Sequence, residues 1–392
     1  MSQHTNTKDL TPSLKVLMLD QYAGLGGGQR ILSDLAGAFR GAGHGVRVMV
    51  PGEGTTSRLL RDQGFPVLHL PLPEMTAGHK TIAEKLSYLV HARRAAGAIG
   101  EALAEERADL IYANAPRCVL PAVWAARKAG VSVACGLHLI FRGGLEHRLL
   151  SWCFRKPEVR RIIFCSDAVA EPFLHSAGAK GTKVLYWVSP PVLQAPPGRQ
   201  EARARYGLHG YDVAVGVIGR ISKTKGQRMF LEALMPLLSA HPRLKLVVAG
   251  GSDFEDPAEE ASVTALAAQV PERVTVTGAM VDSREFMDAM DVLVVPSLWE
   301  EPFGLVAVEG MARSLPVVVT RSGGLQEIVE HGVTGFIVEK DVQALRGAVE
   351  PLLTDPVLRA RMGEAGRERV QRMFNPEKQM GRIIEEVMSR EP

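Results

Sequence analysis

The sequence predicts an α/β protein made of two doubly wound domains, each with a parallel sheet, and a ligand cleft between them. Three observations predict this fold: short β-branched strands alternate with longer helical segments, the strands are almost continuously apolar, and a proline-rich segment divides the chain near its midpoint. Strands that alternate with helices form parallel βαβ units. Strands that are apolar on both faces are typical of a sheet covered by helices on each side.

Strand-like runs recur along the whole chain, and Ala- and Leu-rich stretches with helical periodicity separate them, such as Arg30–Ala42 and Ile82–Arg107. The predicted strands of the first half are Lys15–Asp20, Val46–Val50, Pro66–Leu70, Asp109–Ala113, Val131–Cys135, Ile162–Ser166 and Lys183–Val188. Those of the second half are Val213–Ile218, Leu244–Ala249, Val274–Thr277, Val292–Val295, Val317–Thr320 and Phe336–Glu339.

The proline-rich segment contains Ser189-Pro190-Pro191 and Pro196-Pro197-Gly198, which interrupt helices and strands. We therefore predict a joint between two domains here. The predicted organisation is a disordered tail over 1–13, a first domain over 14–188, a linker over 189–204, a second domain over 205–374, and a final helix over 375–392 that returns to the first domain.

Composition excludes several classes of protein. The chain has 392 residues, which is enough for two or three domains. Its 46 basic and 43 acidic side chains give a net charge of +3, and this charge is too small for nucleic acid binding by bulk electrostatics. Residues 1–196 carry 23 basic and 15 acidic side chains, so the second half is net acidic, which suggests different partners for the two halves. The four cysteines lack metal-site spacing and read as reduced core residues. We expect neither a signal peptide nor a membrane span, and a cytoplasmic location.

The most informative segment is Pro296–Gly324, where an apolar strand ends and a helix follows. Glu301 lies in the loop and Glu309 within the helix, whose first amides come near Gly304 and Leu305. Helix N-terminal amides bind phosphate oxygens, and carboxylates accept hydrogen bonds from sugar hydroxyls. The pattern therefore favours a nucleotide-sugar, although acidic residues near a helix start also occur for purely structural reasons.

A basic loop follows the strand Val213–Ile218 and runs from Gly219 to Gly226. Its cations, among them Arg220 and Lys225, lie at the carboxyl edge of the predicted sheet and suit a diphosphate. The order of residues excludes a Walker loop. Taken alone, the loop is equally consistent with a solvated basic turn.

Two features of the first half complete the candidate site. The glycines of Gly24–Gly28 follow the first strand but fail the dinucleotide fingerprint, because the third glycine position holds Gln29. They still allow close approach of a ligand to the backbone. His138 lies just past the strand Val131–Cys135, where it faces either the cleft or the core.

Together these segments resemble the retaining glycosyltransferases of family 4, which have the GT-B fold. The resemblance rests on four motifs in order: GRxxxxKG at Gly219–Gly226, VVAGG at Val247–Gly251, EPFGLVAVEGMA at Glu301–Ala312, and GGLQEIVEHGVTGFIV at Gly323–Val338. It implies an acceptor-binding first domain and a donor-binding second domain.

The resemblance implies a role for each matching residue. Arg220 and Lys225 would hold the donor diphosphate, Glu301 the hydroxyls of the donor sugar, Glu309 the nucleotide ribose, and His138 would lie near the transferring sugar. The remaining donor-binding positions are Gly27, Gly28, Gly219, Gly278, Phe303, Gly304, Leu305 and Val306, the last four through their backbone, and the turn Thr277–Met280 is placed to meet the base.

Further matches and two departures qualify these roles. Gly323, Gly324 and Glu327 match the family but are interpreted as mainly structural. Gln29 stands where the family usually has Glu, so no role is given to that side chain. Val188-Ser189-Pro190-Pro191 replaces the usual Asn-Gly-x-Asp segment, which weakens inferences about hinge or acceptor contacts there.

The implied activity is transfer of a sugar from a UDP- or GDP-sugar to the hydroxyl of a glycan, lipid-linked or small-molecule acceptor. No Asp-x-Asp lies at a strand end, so we expect the cations to replace a metal, and no cofactor is expected. The alternatives are a GT-B-fold nucleotide-sugar epimerase or phosphorylase, and a non-catalytic nucleotide-sugar-binding protein.

Residues 141–162 interleave arginines with Leu149, Leu150, Trp152 and Phe154. Such a segment either contacts a membrane surface or packs its apolar side on its own domain. We favour the second interpretation, and peripheral contact with the inner face of the membrane stays open.

Overall fold

The protein folds into two α/β domains, each built on one parallel sheet. The structure, a computed structural model, describes residues 13–73, 81–194, 198–252, 256–279 and 283–389. The predicted residues Pro196, Pro197 and Met280, and nearly all of the predicted tail, lie outside these ranges.

The first domain has a seven-stranded sheet in the order β3-β2-β1-β4-β5-β6-β7. Its strands are β1 Lys15–Leu19, β2 Gly45–Val50, β3 Val67–His69, β4 Leu110–Ala113, β5 Ser132–Leu137, β6 Val159–Phe164 and β7 Gly181–Lys183. Its helices are α1 Gly27–Gly41, α2 Thr55–Asp62, α3 Ile82–Glu106, α4 Pro116–Ala129, α5 Gly144–Phe154, α6 Asp167–Ala170 and α7 Leu174–Ala177.

The second domain has a six-stranded sheet in the order β10-β9-β8-β11-β12-β13. Its strands are β8 Val213–Ile218, β9 Leu244–Ala249, β10 Val274–Val276, β11 Val292–Val295, β12 Val317–Thr320 and β13 Gly335–Val338. The helices of the second half are α8 Arg199–Arg205, α9 Gln227–Leu234, α10 Pro257–Ala267, α11 Ser283–Ala289, α12 Leu305–Ala312, α13 Leu325–Ile328, α14 Val342–Thr354, α15 Pro356–Met373 and α16 Pro376–Met388.

The prediction of two doubly wound parallel domains is confirmed. Neighbouring strands pair in parallel throughout both sheets. The inner strands are buried on both faces: Val16, Leu17, Met18 and Leu19 of β1 are each at most 1% exposed. Helices on both sides of each sheet therefore supply the core, as the apolar strands predicted.

Two predicted strands have bounds that differ from the structure by three residues or more, and part of the predicted linker is helical. β6 is Val159–Phe164, three residues earlier at its start than the predicted Ile162–Ser166. β7 is Gly181–Lys183, whereas residues 184–188 of the predicted strand Lys183–Val188 are not part of the sheet. They are buried all the same, because they pack where the domains meet. Residues 199–204 of the predicted linker lie in α8, Arg199–Arg205, which packs on α11.

The chain crosses between the domains twice. The first crossing follows β7, and the second precedes α16, which packs on α1 and β6 of the first domain. The buried Arg161 of β6 forms an ion pair with Glu386 of α16 at 3.2 Å and donates to Ser389 Oγ. At the crossings themselves, the Val188 amide donates to the Phe374 carbonyl at 3.1 Å.

Candidate active site

The strand order of each sheet reverses beside its first strand, between β1 and β4 in the first domain and between β8 and β11 in the second. Ligands of doubly wound folds bind at the carboxyl ends of the strands on either side of such a reversal. The glycine loop follows β1, the basic loop follows β8, and the loop of Glu301 follows β11. The topology therefore places all three predicted loops at ligand-binding edges.

The two edges face each other across the cleft at the beginnings of α1 and α12. A Cβ atom on Gly27, the first residue of α1, would lie only 2.9 Å from Leu305 Cδ1, in the first residue of α12. The first amides of a helix lack partners within the helix and carry its positive dipole end. Two helix N-termini thus point into one region, which suits a negatively charged group.

Lys225 and Glu301 form an ion pair at the centre of the second domain's edge. The Lys225 ammonium contacts both carboxylate oxygens, at 2.8 Å for Oε2 and 3.2 Å for Oε1. Trp299 Nε1 and Ser297 Oγ each donate to Oε2 at 3.0 Å. The Trp299 ring also lies 5.4 Å below the ammonium. The carboxylate is therefore fixed from three sides.

These contacts set the ionisation of Glu301. Burial raises the pKa of its carboxyl group, but the charge of Lys225 and the hydrogen bonds to the carboxylate outweigh burial, so the pKa lies below its usual value. Glu301 is consequently a carboxylate at neutral pH. It can accept hydrogen bonds from hydroxyl groups and cannot serve as a general acid.

The basic loop is shaped by glycines and by one buried amide. Gln227 Nε2 donates to the carbonyls of Gly219 and Arg220, at 3.2 and 2.9 Å. Gly226 has φ +73°, and a Cβ there would lie 2.1 Å from the Pro296 carbonyl oxygen, so this position requires glycine. Arg220 is exposed at the beginning of the loop.

Gly278 lies beside the same loop. Its carbonyl accepts a hydrogen bond from the Gly250 amide at 2.8 Å, and Gly250 itself packs against the Gly219 carbonyl. Gly278 has φ +73°. The turn after β10 and the loop after β8 therefore form one continuous surface at the carboxyl edge.

Glu309 is buried on α12, and its Oε2 accepts a hydrogen bond from Ser283 Oγ at 2.9 Å. Gly304 caps the same helix with φ +117°, where a Cβ would lie 2.3 Å from Leu325 Cδ2. The helix can therefore begin beside the cleft only with glycine at this position. Val306 follows Leu305 in the first turn and is half-buried.

His138 lies across the cleft, against the start of α1. A Cβ on Gly28 would be 2.8 Å from His138 Nε2, and the Tyr186 hydroxyl lies 3.4 Å from Nδ1. Burial lowers the pKa of His138, and the negative charge of Asp20 raises it by a smaller amount. The pKa therefore lies below its usual value, and the imidazole is neutral at pH 7. His138 is half-buried at the cleft, so its position is intermediate between the cleft-facing and the core position that the sequence left open.

Asp20 anchors this side of the site. Its buried carboxylate accepts from Gln29 Nε2 at 2.8 Å and from Asn114 Nδ2 at 2.7 Å, and Asn114 also donates to the Gly28 carbonyl. Gln29 Oε1 accepts from the Gly26 amide at 3.1 Å. The side chain that departs from the family pattern thus holds the glycine loop in place.

Phe303 does not point into the cleft but packs between the domains. Its ring lies 5.5 Å from that of Tyr186 and 5.9 Å from that of Phe374. Of Phe303, only the backbone can therefore face a ligand. The preceding Pro302 carbonyl accepts a hydrogen bond from Ser166 Oγ of the first domain at 2.6 Å.

Polar contacts also join the domains beside the site. The Glu327 carboxylate accepts from the amides of Asp167 and Ala168, at 2.9 and 3.1 Å. Arg142 contacts Glu300 at 3.3 Å, while Lys340 binds the other oxygen of Glu300 at 3.0 Å. Glu327, interpreted as structural from the sequence, thus joins the two domains.

The sequence did not single out Trp299, Ser297, Tyr186 or Asp20. Trp299 and Ser297 lie within the motif that carries Glu301, so their proximity in sequence was a usable signal. Asp20 is the last residue of the first predicted strand, a position that faces the cleft in this fold class. Tyr186 gave no comparable signal, because it follows a short edge strand within an apolar run.

The structure also bears on the other predictions. The four cysteines are buried and unpaired, as predicted. Over the described ranges, no cluster of His, Cys, Asp and Glu side chains is arranged to hold a metal ion. None of the described helices is long and apolar enough to cross a membrane.

In the segment 141–162, the apolar side of α5 packs on its own domain. Leu150, Cys153 and Phe154 are buried there. Trp152 remains 41% exposed and lies 3.8 Å from the Lys156 ammonium. This packing agrees with the interpretation that the sequence favoured.

Both halves of the chain match known domain families. Residues 26–186 match the glycosyl transferase 4-like domain, and residues 198–369 match the glycosyl transferases group 1. Together the two matches span both domains.

Curated relatives show the same kinship. The chain is 35% identical to the capsular polysaccharide biosynthesis glycosyltransferase CapM of Staphylococcus aureus over 162 residues, 41% of this chain and 42% of CapM. It is 29% identical to the lipopolysaccharide core biosynthesis mannosyltransferase LpcC of Rhizobium leguminosarum bv. viciae over 253 residues, 63% of this chain and 70% of LpcC. The chain spans just under half the length of several curated relatives that it matches.

Solved structures share the fold along the whole chain. Anabaena Alr3699/HepE in complex with UDP and glucose superposes with a TM-score of 0.80 at 23% identity, covering 96% of this chain and 100% of that one. WaaG, a glycosyltransferase involved in lipopolysaccharide biosynthesis, gives 0.70 at 20% identity, covering 94% and 99%.

Proposed function

The resemblance of this chain to the family 4 glycosyltransferases is confirmed in both domains, and from that premise we propose that it transfers a sugar from a nucleoside diphosphate-sugar to an acceptor hydroxyl, with retention of anomeric configuration. The proposed setting is polysaccharide or glycolipid biosynthesis, as in the named relatives. The observation that carries the proposal is the Lys225–Glu301 pair, since Glu301 lies in the loop before α12 and the first residue of α12 meets Gly27 of α1.

In this proposal the cations bind the donor diphosphate. An ammonium has three protons, and the two contacts of Lys225 with Glu301 leave one for a phosphate oxygen. Arg220 adds a second charge, and the amide ends of α1 and α12 add their dipoles. These preorganised groups stabilise the negative charge that develops on the leaving diphosphate and take the place of a metal ion.

The carboxylates position the donor. Glu301 accepts hydrogen bonds from hydroxyls of the donor sugar, and Glu309 accepts them from the ribose. Because one Glu301 oxygen already has three donors, we assign Glu301 to positioning rather than to nucleophilic attack. His138 is neutral at pH 7, and because its Nδ1 lies beside the Tyr186 hydroxyl, it offers Nε2 to the transferring sugar.

The proposed step takes place on one face of the sugar. The bond between the anomeric carbon and the donor phosphate oxygen breaks, and a bond from the acceptor oxygen to the anomeric carbon forms on the same side. The proton of the acceptor hydroxyl passes to an oxygen of the departing nucleoside diphosphate. The products are the glycosylated acceptor and the free diphosphate.

Lys225→Ala tests the diphosphate assignment, and Lys223→Ala is its matched control. Lys223 lies two residues away in the same loop and is exposed. We expect Lys225→Ala to lower kcat/KM for transfer by about 10²–10³-fold, the usual loss for one preorganised charge at a reacting centre, and Lys223→Ala to leave it unchanged. Transfer by Lys225→Ala at the wild-type rate would show that the assignment is wrong.

The donor is identified by thermal stabilisation with UDP, GDP, ADP and TDP sugars, since a ligand that binds the native state raises its stability. The complex of Alr3699/HepE with UDP makes UDP the first nucleotide to examine. Nucleoside diphosphate should then be released only when an acceptor is present, and chelation with EDTA should leave the rate unchanged. Turnover of the donor without an acceptor would favour an epimerase, and binding without turnover a non-catalytic protein.

A further inference from the structure

A small pocket on the surface of the first domain is lined by residues that do not belong to the candidate active site. Its volume is about 230 Å³, and its polar lining consists of His147, Arg148, Ser151, Arg155, His175 and Ser176. Pockets that enclose drug-sized ligands measure ~300–1,000 Å³. This cavity, the α5–α7 pocket, therefore suits a single chemical group rather than a whole substrate.

Helix α5 supplies one wall. His147, Ser151 and Arg155 follow one another at intervals of four residues and so share a face, with Arg148 beside them. Ser151 lies seven residues beyond the first residue of α5, or about 10 Å along its axis. The chain just before α5 carries Arg142, which contacts Glu300 at the cleft. The pocket thus lies along α5, whereas the contact at the cleft is made by the segment just before this helix.

The opposite wall comes from α7 and the turn before it, and it is held rigidly. His147 Nε2 donates to the Pro172 carbonyl at 2.8 Å, and the His147 ring stacks on Phe173 at 4.8 Å between centroids. Ser176 Oγ donates to the Phe173 carbonyl at 3.1 Å. The pocket is therefore preformed.

Three of the side chains that line the pocket, Arg148, Ser151 and Arg155, lack hydrogen-bond partners among the described residues. Ser151 is 6% exposed, and its buried hydroxyl oxygen has no hydrogen-bond partner. Buried hydroxyl groups in folded proteins are nearly always hydrogen-bonded, so this group points to a missing partner. Over the described part of the chain, neither Arg148 nor Arg155 has an ion pair or hydrogen bond, and no acidic side chain lines the cavity.

We propose that the α5–α7 pocket binds a phosphate group, held by Arg148, Arg155 and the Ser151 hydroxyl. The guanidinium groups supply charge-assisted hydrogen bonds, for which phosphate oxygens are well-matched acceptors. A phosphate directs oxygens to several sides at once, so one group can meet several donors spaced along the face of a helix. The site is distinct from the diphosphate site at Lys225.

The source of the phosphate follows from the domain that carries the pocket. Resting on the proposed function, the first domain is the acceptor side, so the pocket holds a phosphate on the acceptor. The chemistry is the same for a soluble sugar phosphate and for a phospholipid headgroup, and these two sources are separated by experiment.

The test measures stabilisation of the protein by inorganic phosphate at constant ionic strength, with UDP present to occupy the donor site. The variants are Ser151→Ala and Arg155→Gln, and the control is Arg160→Gln. Arg160 is an exposed arginine of the same domain outside the pocket. We expect each pocket variant to weaken phosphate binding by about tenfold or more, and the control to bind as the wild type does.

Ser151→Ala separates binding from folding. Because the Ser151 hydroxyl is buried without a partner, its removal should leave the melting temperature without phosphate unchanged or raised, while the stabilisation by phosphate is lost. Equal phosphate binding by wild type and both pocket variants, or none by wild type, would overturn the proposal. A protein that fails to bind UDP yet shows the pocket-dependent phosphate effect would contradict the proposed donor and leave this site standing.

Glucose 6-phosphate and vesicles of phosphatidylglycerol in phosphatidylcholine then serve as probes. Binding of the sugar phosphate that is lost in the pocket variants assigns the site to a soluble acceptor. Vesicle binding that is lost in the same variants assigns it to a lipid headgroup. Failure of both probes would overturn the assignment to the acceptor.

Discussion

Alanine at Gly28 should lower transfer activity while leaving the fold nearly as stable as before. Gly28 is the second residue of α1, and its φ is not positive, so alanine fits the backbone. The new Cβ would lie 2.8 Å from His138 Nε2, closer than packed atoms allow, so the imidazole must move. The substitution therefore displaces a side chain of the candidate site without straining the helix.

The two contributions to stability oppose each other. Alanine in place of glycine stabilises a helix interior by ~0.5–1 kcal/mol. Forcing His138 away from its preferred rotamer costs ~0.5–1.5 kcal/mol. The net change is within about 1 kcal/mol, or about 2–4 °C in Tm for a domain of this size. A 1 Å displacement at a reacting centre, in contrast, costs about 10²-fold in rate.

Gly37→Ala is the matched control in the same helix, because a Cβ there meets no atom within 4 Å. It should raise Tm slightly and leave kcat/KM unchanged. The measurements are thermal denaturation and initial rates of sugar transfer for both variants. Wild-type kcat/KM in Gly28→Ala would refute the reasoning about His138, and a Tm lowered by ten degrees would refute the reasoning about the helix.

Two further predictions concern acid stability and the last helix. Because the pKa of Glu301 is lowered in the folded protein, its carboxylate stabilises the fold fully above the unfolded pKa of about 4.3, and this stabilisation is lost as the pH falls through the folded pKa. Denaturant titrations should show that Glu301→Gln loses less stability than wild type between about pH 6 and pH 3.5, and equal losses would contradict this linkage. Arg161→Ala should destabilise the protein by about 2 kcal/mol and speed proteolysis in α16, because it removes the contacts with Glu386. Arg160→Ala, in the neighbouring exposed position, should do neither, and equal digestion of the two variants would show that Arg161 does not hold α16.

The sequence predicted the sheets well because burial and strand formation coincide in this fold. Val213–Ile218 and Leu244–Ala249 are predicted strands whose bounds match β8 and β9, since both are covered by helices on each face. The two properties separate at residues 184–188, which are apolar but lie outside the sheet. Trp187 there donates to Asp34 at 3.0 Å, and Val188 to Phe374. A run of apolar residues therefore indicates burial, and it does not distinguish residues that pack at the domain interface from residues that pair in a sheet.

The residues of the candidate site were predictable where they lie within one recognisable sequence motif. Contacts between residues that are distant in sequence were less predictable. Glu301 and Lys225 each lie in a recognisable motif, but their direct ion pair joins positions 76 residues apart. The resemblance implied a role for the backbone at Phe303, but the sequence did not predict that its side chain packs against Tyr186 between the domains. Spacing places residues at an edge of the sheet, whereas the direction of a side chain depends on packing from the other domain.

The two chain crossings have a mechanical consequence. Val188 and Phe374 belong to different crossings and are joined by a hydrogen bond, so both connections pass through one small region. When the noncovalent contacts between the domains open, two domains that are covalently connected at a single place can move relative to each other mainly by rotation about that place. For a given angle of rotation, the residues that lie far from the two crossings move the greatest distance. The contacts between the domains that are most sensitive to opening are therefore those remote from Val188. Substitutions at the crossings should change the width of the cleft by changing the rotation of the domains, without contacting a ligand.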